Sequence, residues 1–192
     1  AIFLCCYHKN FFKLGLVGVA AIPFLPALLP ASIVNRFMSI GNMADTSTTY
    51  RASIWRGAVS MMKAFLPTGS GIGSDSFTVY YPAFALSGAQ YALHSHNLYF
   101  QIVIELGALG ALCFVLLLFF NMKNVFSCFS NSSDNFNKLM ILALGTGLFA
   151  ILIQGLTDNV WYNFRIFLLF WILIGLTSGM FKGYEESAEK VI

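Results

Sequence analysis

The stretch N-L-Y-F-Q-I-V-I-E-L-G-A-L-G-A-L-C-F-V-L-L-L-F-F, residues 97–120, decides the fold class of this chain. Glu105 is its one charged residue, and the polar Asn121 follows directly after it. A helix of about 20 mainly apolar residues is long enough to cross the hydrocarbon core of a bilayer. The stretch therefore predicts a transmembrane helix.

Apolar runs of the same character lie on both sides of this helix. We expect a partial span at 1–7 and full spans at 11–29, 97–120, 138–156 and 160–181. Of the 192 residues, 58% are hydrophobic and 10% are charged. A soluble domain usually carries about 25% charged residues. The prediction is an all-α, polytopic transmembrane helical bundle, in which the chain begins partway through a transmembrane helix.

Charge and cysteine content argue against two other classes of protein. The formal net charge is +3, and no run of Lys or Arg resembles a nucleic-acid-binding stripe, so we expect no nucleic acid partner. The four cysteines lack zinc-finger spacing, and we expect them to serve as small hydrophobic residues in or near the membrane. They are Cys5, Cys6, Cys113 and Cys128.

The spans divide the chain into four parts. They are one helix end plus one full transmembrane helix at 1–29, a long loop at 30–96, three transmembrane helices at 97–181, and a solvated tail at 182–192. Counting spans places the long loop and the turn at 157–159 on the same side of the membrane. Lysines border the short loops of the opposite side, so the positive-inside rule makes the long loop extracytoplasmic.

The long loop has the sequence of a folded segment. Residues 31–40 have the pattern of an amphipathic, interfacial helix. Apolar residues recur at helical spacing over 48–66, and Pro67 stops that helix. The G-S-G-I-G-S stretch that follows predicts a tight turn, and it lacks the Lys-Ser/Thr of a phosphate-binding loop. An aromatic piece at 75–85 then leads towards His94.

The first candidate site is the H-S-H-N sequence at 94–97. His94 and His96 have the spacing i, i+2 and could bind a metal, but no acidic or cysteine third ligand lies near them in sequence. We therefore expect no metal. A neutral imidazole near pH 7 suits a general base. The alternative is a pair of interfacial histidines that cap a helix.

A polar stripe on the next span is the second candidate. Asn97, Gln101 and Glu105 are spaced i, i+4, i+8, and polar groups inside a membrane usually face a bundle interior or a wet cavity. Glu105 should lie roughly 13 Å below His96 at the helical rise. The stripe either binds substrate or forms structural hydrogen bonds between helices.

Arginines in the long loop form the third candidate. Arg51 and Trp55 are spaced i, i+4, and Arg56 follows. The planar guanidinium donates two hydrogen bonds at once and suits a phosphate. The alternative is that these arginines anchor an interfacial helix to the phosphates of bulk lipids.

The fourth candidate lies at the start of the last span. Asp158, Trp161, Tyr162 and Arg165 would share one helix face, on the same side of the membrane as the long loop. An arginine in the membrane requires a carboxylate partner, for which Asp158 and Glu105 are the candidates. The cluster either contributes to the site or forms a structural ion pair.

Five motifs follow one another in the chain. They are R-x3-W at 51–55, P-T-G-S-G-I-G at 67–73, H-S-H-N-L-Y-F-Q at 94–101, E-L-G-A-L-G at 105–110 and T-D-N-V-W-Y-N-F-R at 157–165. Together, over about 25–180, they resemble the family of O-antigen ligases, repeat-unit polymerases and related bacterial oligosaccharyltransferases. The resemblance implies a bundle like that of the C-type glycosyltransferases, of which this chain resembles the C-terminal portion.

The resemblance also implies an activity. Members of this family transfer a glycan from undecaprenyl pyrophosphate to another glycan, to lipid A core or to a protein. They act at the extracytoplasmic face of the bacterial cytoplasmic membrane, among membrane lipids, without a nucleotide sugar, a required metal or another cofactor. This chain would then be a metal-independent, inverting glycosyltransferase.

The resemblance implies roles for particular residues. By motif, Arg51 matches an arginine that binds the donor pyrophosphate, and His96 best matches a histidine near the acceptor, with His94 second. A further functional arginine of the family belongs to an earlier loop, which we do not find in this chain. The expected catalytic residues are His96, His94 and Arg51. The expected substrate-binding residues are Arg51, Arg56, Asn97, Gln101, Glu105, Asp158 and Arg165.

Two other functions remain open from the sequence. A transporter or flippase subunit for lipid-linked glycans would use the same arginines to bind pyrophosphate in transit. A structural assembly factor would tolerate Arg→Lys changes. The spans at 11–29 and 138–156 are almost free of charge, and the polar groups gather at one membrane face. This distribution favours chemistry at the membrane surface over a polar pathway through the bundle.

Overall fold

The computed structural model describes residues 9–24, 27, 29–38 and 46–189. These residues form helices and connecting turns, and the described part of the chain contains no strand. The chain divides into two compact units, 1–49 and 50–192.

In the residues that the structure describes, seven α-helices follow one another, three of them accompanied by a short 3₁₀ helix. They are α1 (Lys9–Ala21, then the 3₁₀ helix Ile22–Phe24), α2 (Ala31–Met38), α3 (Thr46–Phe65), α4 (Ser74–Tyr80, then the 3₁₀ helix Tyr81–Ala83), α5 (Leu98–Asn131), α6 (Asn135–Gln154) and α7 (Phe164–Glu189, after the 3₁₀ helix Val160–Tyr162).

The first unit contains α1 and α2. Leu16, Val17 and Val19 of α1 are exposed, as apolar side chains facing lipid would be. The predicted span at 11–29 includes positions outside the described residues, as does the whole of 1–7, so both spans stay predictions. The amphipathic segment predicted over 31–40 is helical over Ala31–Met38.

The second unit contains three helices that are long and apolar enough to cross a membrane. They are Leu98–Asn131, Asn135–Gln154 and the Phe164–Gly183 part of α7. Phe114, Leu148 and Phe170 form the centre of their shared core. Large apolar side chains such as Leu109 and Phe119 remain 72% and 61% exposed, as lipid-facing residues do. The predicted all-α, multi-pass membrane architecture is confirmed.

The helices differ in length from the predicted spans at three ends. Helix α5 continues beyond residue 120, because Asn121 is buried and its Nδ2 donates to Thr177 Oγ1 of α7 at 2.8 Å. Helix α6 begins at Asn135 because Asp134 caps it, accepting from the backbone N–H groups of residues 136 and 137. Helix α7 continues to Glu189, into the stretch 182–192 that was predicted to be a solvated tail.

Helix α5 is broken at Gly107, where φ is 67°. In a continuous helix the Ala108 N–H would donate to the Ile104 carbonyl. Here Ala108 N–H donates to Leu66 O at 2.7 Å, and Ile104 O accepts from Ser70 N–H at 2.8 Å. Leu66 and Ser70, on either side of Pro67, thus replace the missing helical bond, and both backbone groups are satisfied within the bundle.

The part of the long loop from residue 54 to residue 92 packs into a small core of its own. Ile54, Ala58 and Met61 of α3 contact Phe77 and Tyr81, and Ile104 of α5 completes the cluster. The rings of Phe77 and Tyr81 stack with centroids 4.6 Å apart. Helix α3, predicted over 48–66, spans Thr46–Phe65 and ends before Pro67 as expected. This core holds the loop against the broken end of α5.

Candidate active site

The turn at 94–97 is fixed by the start of α5. Asn97 caps that helix: its Oδ1 accepts from Tyr99 N–H at 2.9 Å and from Phe100 N–H at 3.0 Å. Its Nδ2 donates to Leu156 O at 2.8 Å, and Leu98 N–H donates to Gly155 O at 2.8 Å. The turn is therefore bonded both to α5 and to the connection between α6 and α7. These bonds use both polar ends of the Asn97 side chain.

The predicted polar stripe forms a chain of hydrogen bonds. Gln101 Oε1 accepts from Ser95 N–H at 3.0 Å, and Gln101 Nε2 donates to Glu105 Oε1 at 2.8 Å. Glu105 Oε2 in turn accepts from Gly73 N–H at 3.2 Å. The stripe links the histidine turn to the glycine loop, so it positions both segments.

His96 has an unusual backbone. Its φ is 51°, and it is the one non-glycine residue with a positive φ in the part of the chain that the structure describes. A left-handed conformation is costly for a residue with a Cβ, and such strain is concentrated at functional sites. Trp55 of α3 supports it, because Trp55 Nε1 donates to His96 O at 3.1 Å.

The His96 ring is paired with a carboxylate far away in sequence. His96 Nδ1 lies 3.1 Å from Asp158 Oδ1, across 62 residues of chain. Asp158 Oδ1 also accepts from Asn159 N–H at 2.9 Å, which holds the carboxylate in place. An ionised carboxylate can only accept, so Nδ1 carries the proton and a neutral ring keeps its lone pair on Nε2. This is the arrangement of an oriented general base.

His94 lies beside this pair. Its ring centroid is 4.2 Å from that of His96 and 4.6 Å from that of Tyr162. Burial, with a smaller contribution from the neighbouring His96, lowers the pKa of His94 from 6.5 to about 4. Asp158 opposes this effect and the positive charge of Arg51 adds to it. His94 is therefore neutral near pH 7, and Arg51 is close enough to act on it.

The two arginines of α3 differ in their relation to this site. Arg51 acts electrostatically on His94, and Trp55, one turn further along α3, contacts the His96 backbone. Both arginines are exposed, and five residues on a helix turn Arg56 about 140° away from Arg51. Arg51 is thus within electrostatic range of His94, and Arg56 lies on another side of α3.

The helical stripe predicted from Asp158 to Arg165 was wrong. Asp158 and Asn159 lie in the turn after α6, Trp161 and Tyr162 are in a 3₁₀ helix, and α7 begins only at Phe164. Asp158 pairs with His96, while Glu105 is bonded to Gln101 and Gly73. In the described residues, neither carboxylate pairs with Arg165, which is exposed.

A cavity of about 640 Å³ lies between α5 and α7. Gln101 and Glu105 line it from α5, and Trp161, Tyr162 and Trp171 line it from the other side. Tyr162 also contacts the His94 ring at a tilt of 39°, so one wall of the cavity borders the histidine pair. Its size is within the usual range for a ligand pocket.

Sequence reasoning placed most of these residues on one membrane face but missed the pairing of His96 with Asp158. The available signal was that both turns were expected on the same side of the membrane. It also missed the role of Ser95, which is buried and whose Oγ donates to Asn97 O at 2.7 Å.

Comparison with known proteins identifies a family. The sequence model of the family described as O-antigen ligase matches residues 1–115, which is more than half of the chain. This range includes Arg51, the glycine loop and the histidine turn, and ends before Asp158. No curated protein and no solved structure matches the chain. The chain belongs to the O-antigen ligase family.

Proposed function

We propose that this protein transfers or polymerises a glycan from an undecaprenyl-pyrophosphate donor, in the biosynthesis of cell-surface polysaccharide. The observation that carries the proposal is the His96–Asp158 pair, which leaves His96 Nε2 able to accept a proton. Arg51 is within electrostatic range of the neighbouring His94. An attacking hydroxyl needs a base, and a pyrophosphate leaving group needs a cation. Family membership supports the same class of reaction.

The reaction is a single displacement. A hydroxyl oxygen of the acceptor glycan or lipid attacks the anomeric carbon of the donor, and its proton passes to His96 Nε2. The bond between the anomeric carbon and the pyrophosphate oxygen breaks, and undecaprenyl pyrophosphate leaves with the electron pair. One displacement inverts the anomeric configuration.

The remaining residues of the site assist this step. Asp158 holds the His96 ring in the reactive tautomer and stabilises the imidazolium that forms. The Arg51 guanidinium stabilises the charge on the departing pyrophosphate, so the scheme requires neither a general acid nor a metal. The proposed site lies at the extracytoplasmic face of the cytoplasmic membrane, where the polyprenyl tail would lie along the apolar helices.

The test is glycan transfer by the purified full-length protein with a lipid-linked donor. We expect His96→Asn to lower the rate by about 10²-fold or more, because the base is lost while asparagine tolerates the left-handed backbone. We expect a loss of about 10²-fold from Arg51→Lys, because lysine cannot form two parallel bonds to a phosphate. Lys63→Gln, on the exposed surface of α3, is the control and should be active.

Retention of more than about a tenth of the activity by His96→Asn, at normal protein levels, would contradict the role of a general base. A protein that moves lipid-linked glycans across vesicles but transfers none would instead be a transporter or flippase subunit. An Arg51→Lys variant with full glycan transfer would contradict the role given to Arg51 at the pyrophosphate. A purified protein that transfers no glycan and moves none across vesicles would point to a structural assembly role.

A further inference from the structure

Three potential metal ligands meet at the histidine turn. His94, His96 and Asp158 each offer one ligand atom, and these atoms all lie within 4.8 Å of one another. The sequence argument against a metal was that no third ligand lies near the histidines. In the folded chain that argument fails, because the third ligand comes from the turn after α6, 62 residues from His96.

The ligand types indicate which ions would fit. Two imidazole nitrogens and one carboxylate oxygen suit zinc and similar divalent transition ions, whereas magnesium and calcium prefer oxygen ligands throughout. Three protein ligands around zinc leave a fourth position open to water. The ligands are half-buried, so an ion could reach them from the water.

The geometry is close to that of a zinc site. Zinc–nitrogen bonds of 2.0–2.1 Å give a tetrahedral edge of about 3.3 Å. The His96–Asp158 pair already has 3.1 Å between its two ligand atoms. His94 must approach the pair, and the ion would replace a hydrogen bond of 3.2 Å from His96 N–H to His94 Nδ1.

We propose that the His94–His96–Asp158 triad binds one divalent transition ion of the zinc type, and that the bound ion inhibits glycan transfer. Inhibition is expected for an ion bound to either ring nitrogen of His96. An ion on Nε2 occupies the lone pair directly. An ion on Nδ1 leaves the proton of the neutral ring on Nε2, which then has no lone pair to accept another. The inhibitory part rests on the proposed function, whereas the binding part does not.

Binding is measured on the purified full-length protein, without a polyhistidine tag and with His8→Asn as the common background. Zn²⁺ is titrated by calorimetry, and Co²⁺ by its visible absorption. We expect one ion per chain, and at least a tenfold loss of affinity in His94→Asn and in Asp158→Asn. Asp158→Glu, which keeps a carboxylate ligand, should recover part of the affinity. Asp75→Asn, at an exposed carboxylate on α4, is the matched control and should bind normally.

Inhibition is measured separately. Zn²⁺ should inhibit glycan transfer in parallel with binding, a chelator should reverse the inhibition, and the same concentration of Mg²⁺ should have no effect. An affinity weaker than about 100 µM, or equal affinity in the parent and both ligand variants, overturns the metal site. Zn²⁺ bound without inhibition, or with stimulation, overturns the inhibitory role. If the protein binds Zn²⁺ and transfers no glycan, the proposed function fails while the metal site stands.

Discussion

The charge of His94 at acid pH links a single residue to the stability of the whole chain. Burial lowers its pKa to about 4 in the folded protein, and an unfolded histidine has a pKa near 6.5. Between these two values the unfolded state binds more protons than the folded state, so acidification favours unfolding. The contribution of neutral His94 is complete above pH 6.5 and is lost as the pH falls towards 4.

This sign gives a prediction for stability in detergent. The midpoint of thermal unfolding should fall between pH 6.5 and pH 4 in the parent protein, and should fall less in His94→Gln, which cannot take up a proton. Scanning fluorimetry over this range measures both. Equal slopes for the two proteins would mean that His94 is protonated as easily in the folded state as in the unfolded one.

The sequence predicted the types of the site residues but not the contact between His96 and Asp158. The nitrogen of His96 that can accept a proton is the one that does not contact Asp158, and that contact joins positions 62 residues apart. Helical periodicity and motif spacing describe neighbours in sequence, so they could not predict this contact. The residue types could be chosen from the sequence, because the chemistry of a base and of a phosphate ligand limits them.

At the scale of elements, the contact between the glycine loop and α5 depends on two glycines. A Cβ at Gly69 would lie 2.3 Å from Glu105 O, and one at Gly107 would lie 2.8 Å from Gly69 N. Both residues have positive φ, at 76° and 67°. Alanine at either position therefore meets backbone atoms and also adopts a conformation that favours glycine.

We expect Gly69→Ala and Gly107→Ala each to destabilise the protein by about 1–3 kcal/mol and to lower glycan transfer. Gly179→Ala is the matched control, since nothing lies within 4 Å of its Cβ position inside α7. That change should leave the free energy of unfolding unchanged or raise it by up to about 1 kcal/mol. Unfolding in mixed micelles measures all three. A control variant as unstable as Gly69→Ala would refute the steric argument.

The predicted elements were most accurate where a single physical signal dominates. Proline ends α3 and glycine turns the loop, because both residues restrict or extend the accessible backbone angles directly. The predictions failed where tertiary contacts decide the outcome. Helix α7 begins at Phe164 rather than 160, since the preceding residues form the turn that brings Asp158 to His96.

At the scale of the whole molecule, a polar contact joins two membrane-spanning helices near the end remote from the histidines. Asn121 Nδ2 of α5 donates to Thr177 Oγ1 of α7 at 2.8 Å, and both residues are buried. Such bonds stabilise membrane proteins by about 0.6 kcal/mol on average and by at most about 1.7 kcal/mol.

Thr177→Val keeps the shape of the side chain and removes this contact, so we expect a loss of stability of about 1 kcal/mol with little change in activity. Thr146→Val is the comparison, because Thr146 Oγ1 donates to Leu142 O within its own helix. A smaller effect is expected there. Equal losses of stability for the two variants in an unfolding titration would mean that the bond between the helices adds nothing to stability. The loss would then be that of any threonine hydroxyl bonded within its own helix.

The broken helix bond at Gly107 also has a consequence for how the protein meets its lipids. Bilayers differ in thickness, and spanning helices respond by tilting or bending. The nine residues from Leu98 to Leu106, which carry the histidine turn at one end, are joined to the glycine loop by backbone bonds, and on the other side of the break Ala108 is bonded to Leu66. Because the long loop is bonded on both sides of the break, we expect it to move together with α5 when the helix tilts. The histidine turn is also bonded to the connection that carries Asp158, so the distance between the base and its carboxylate should not change with membrane thickness.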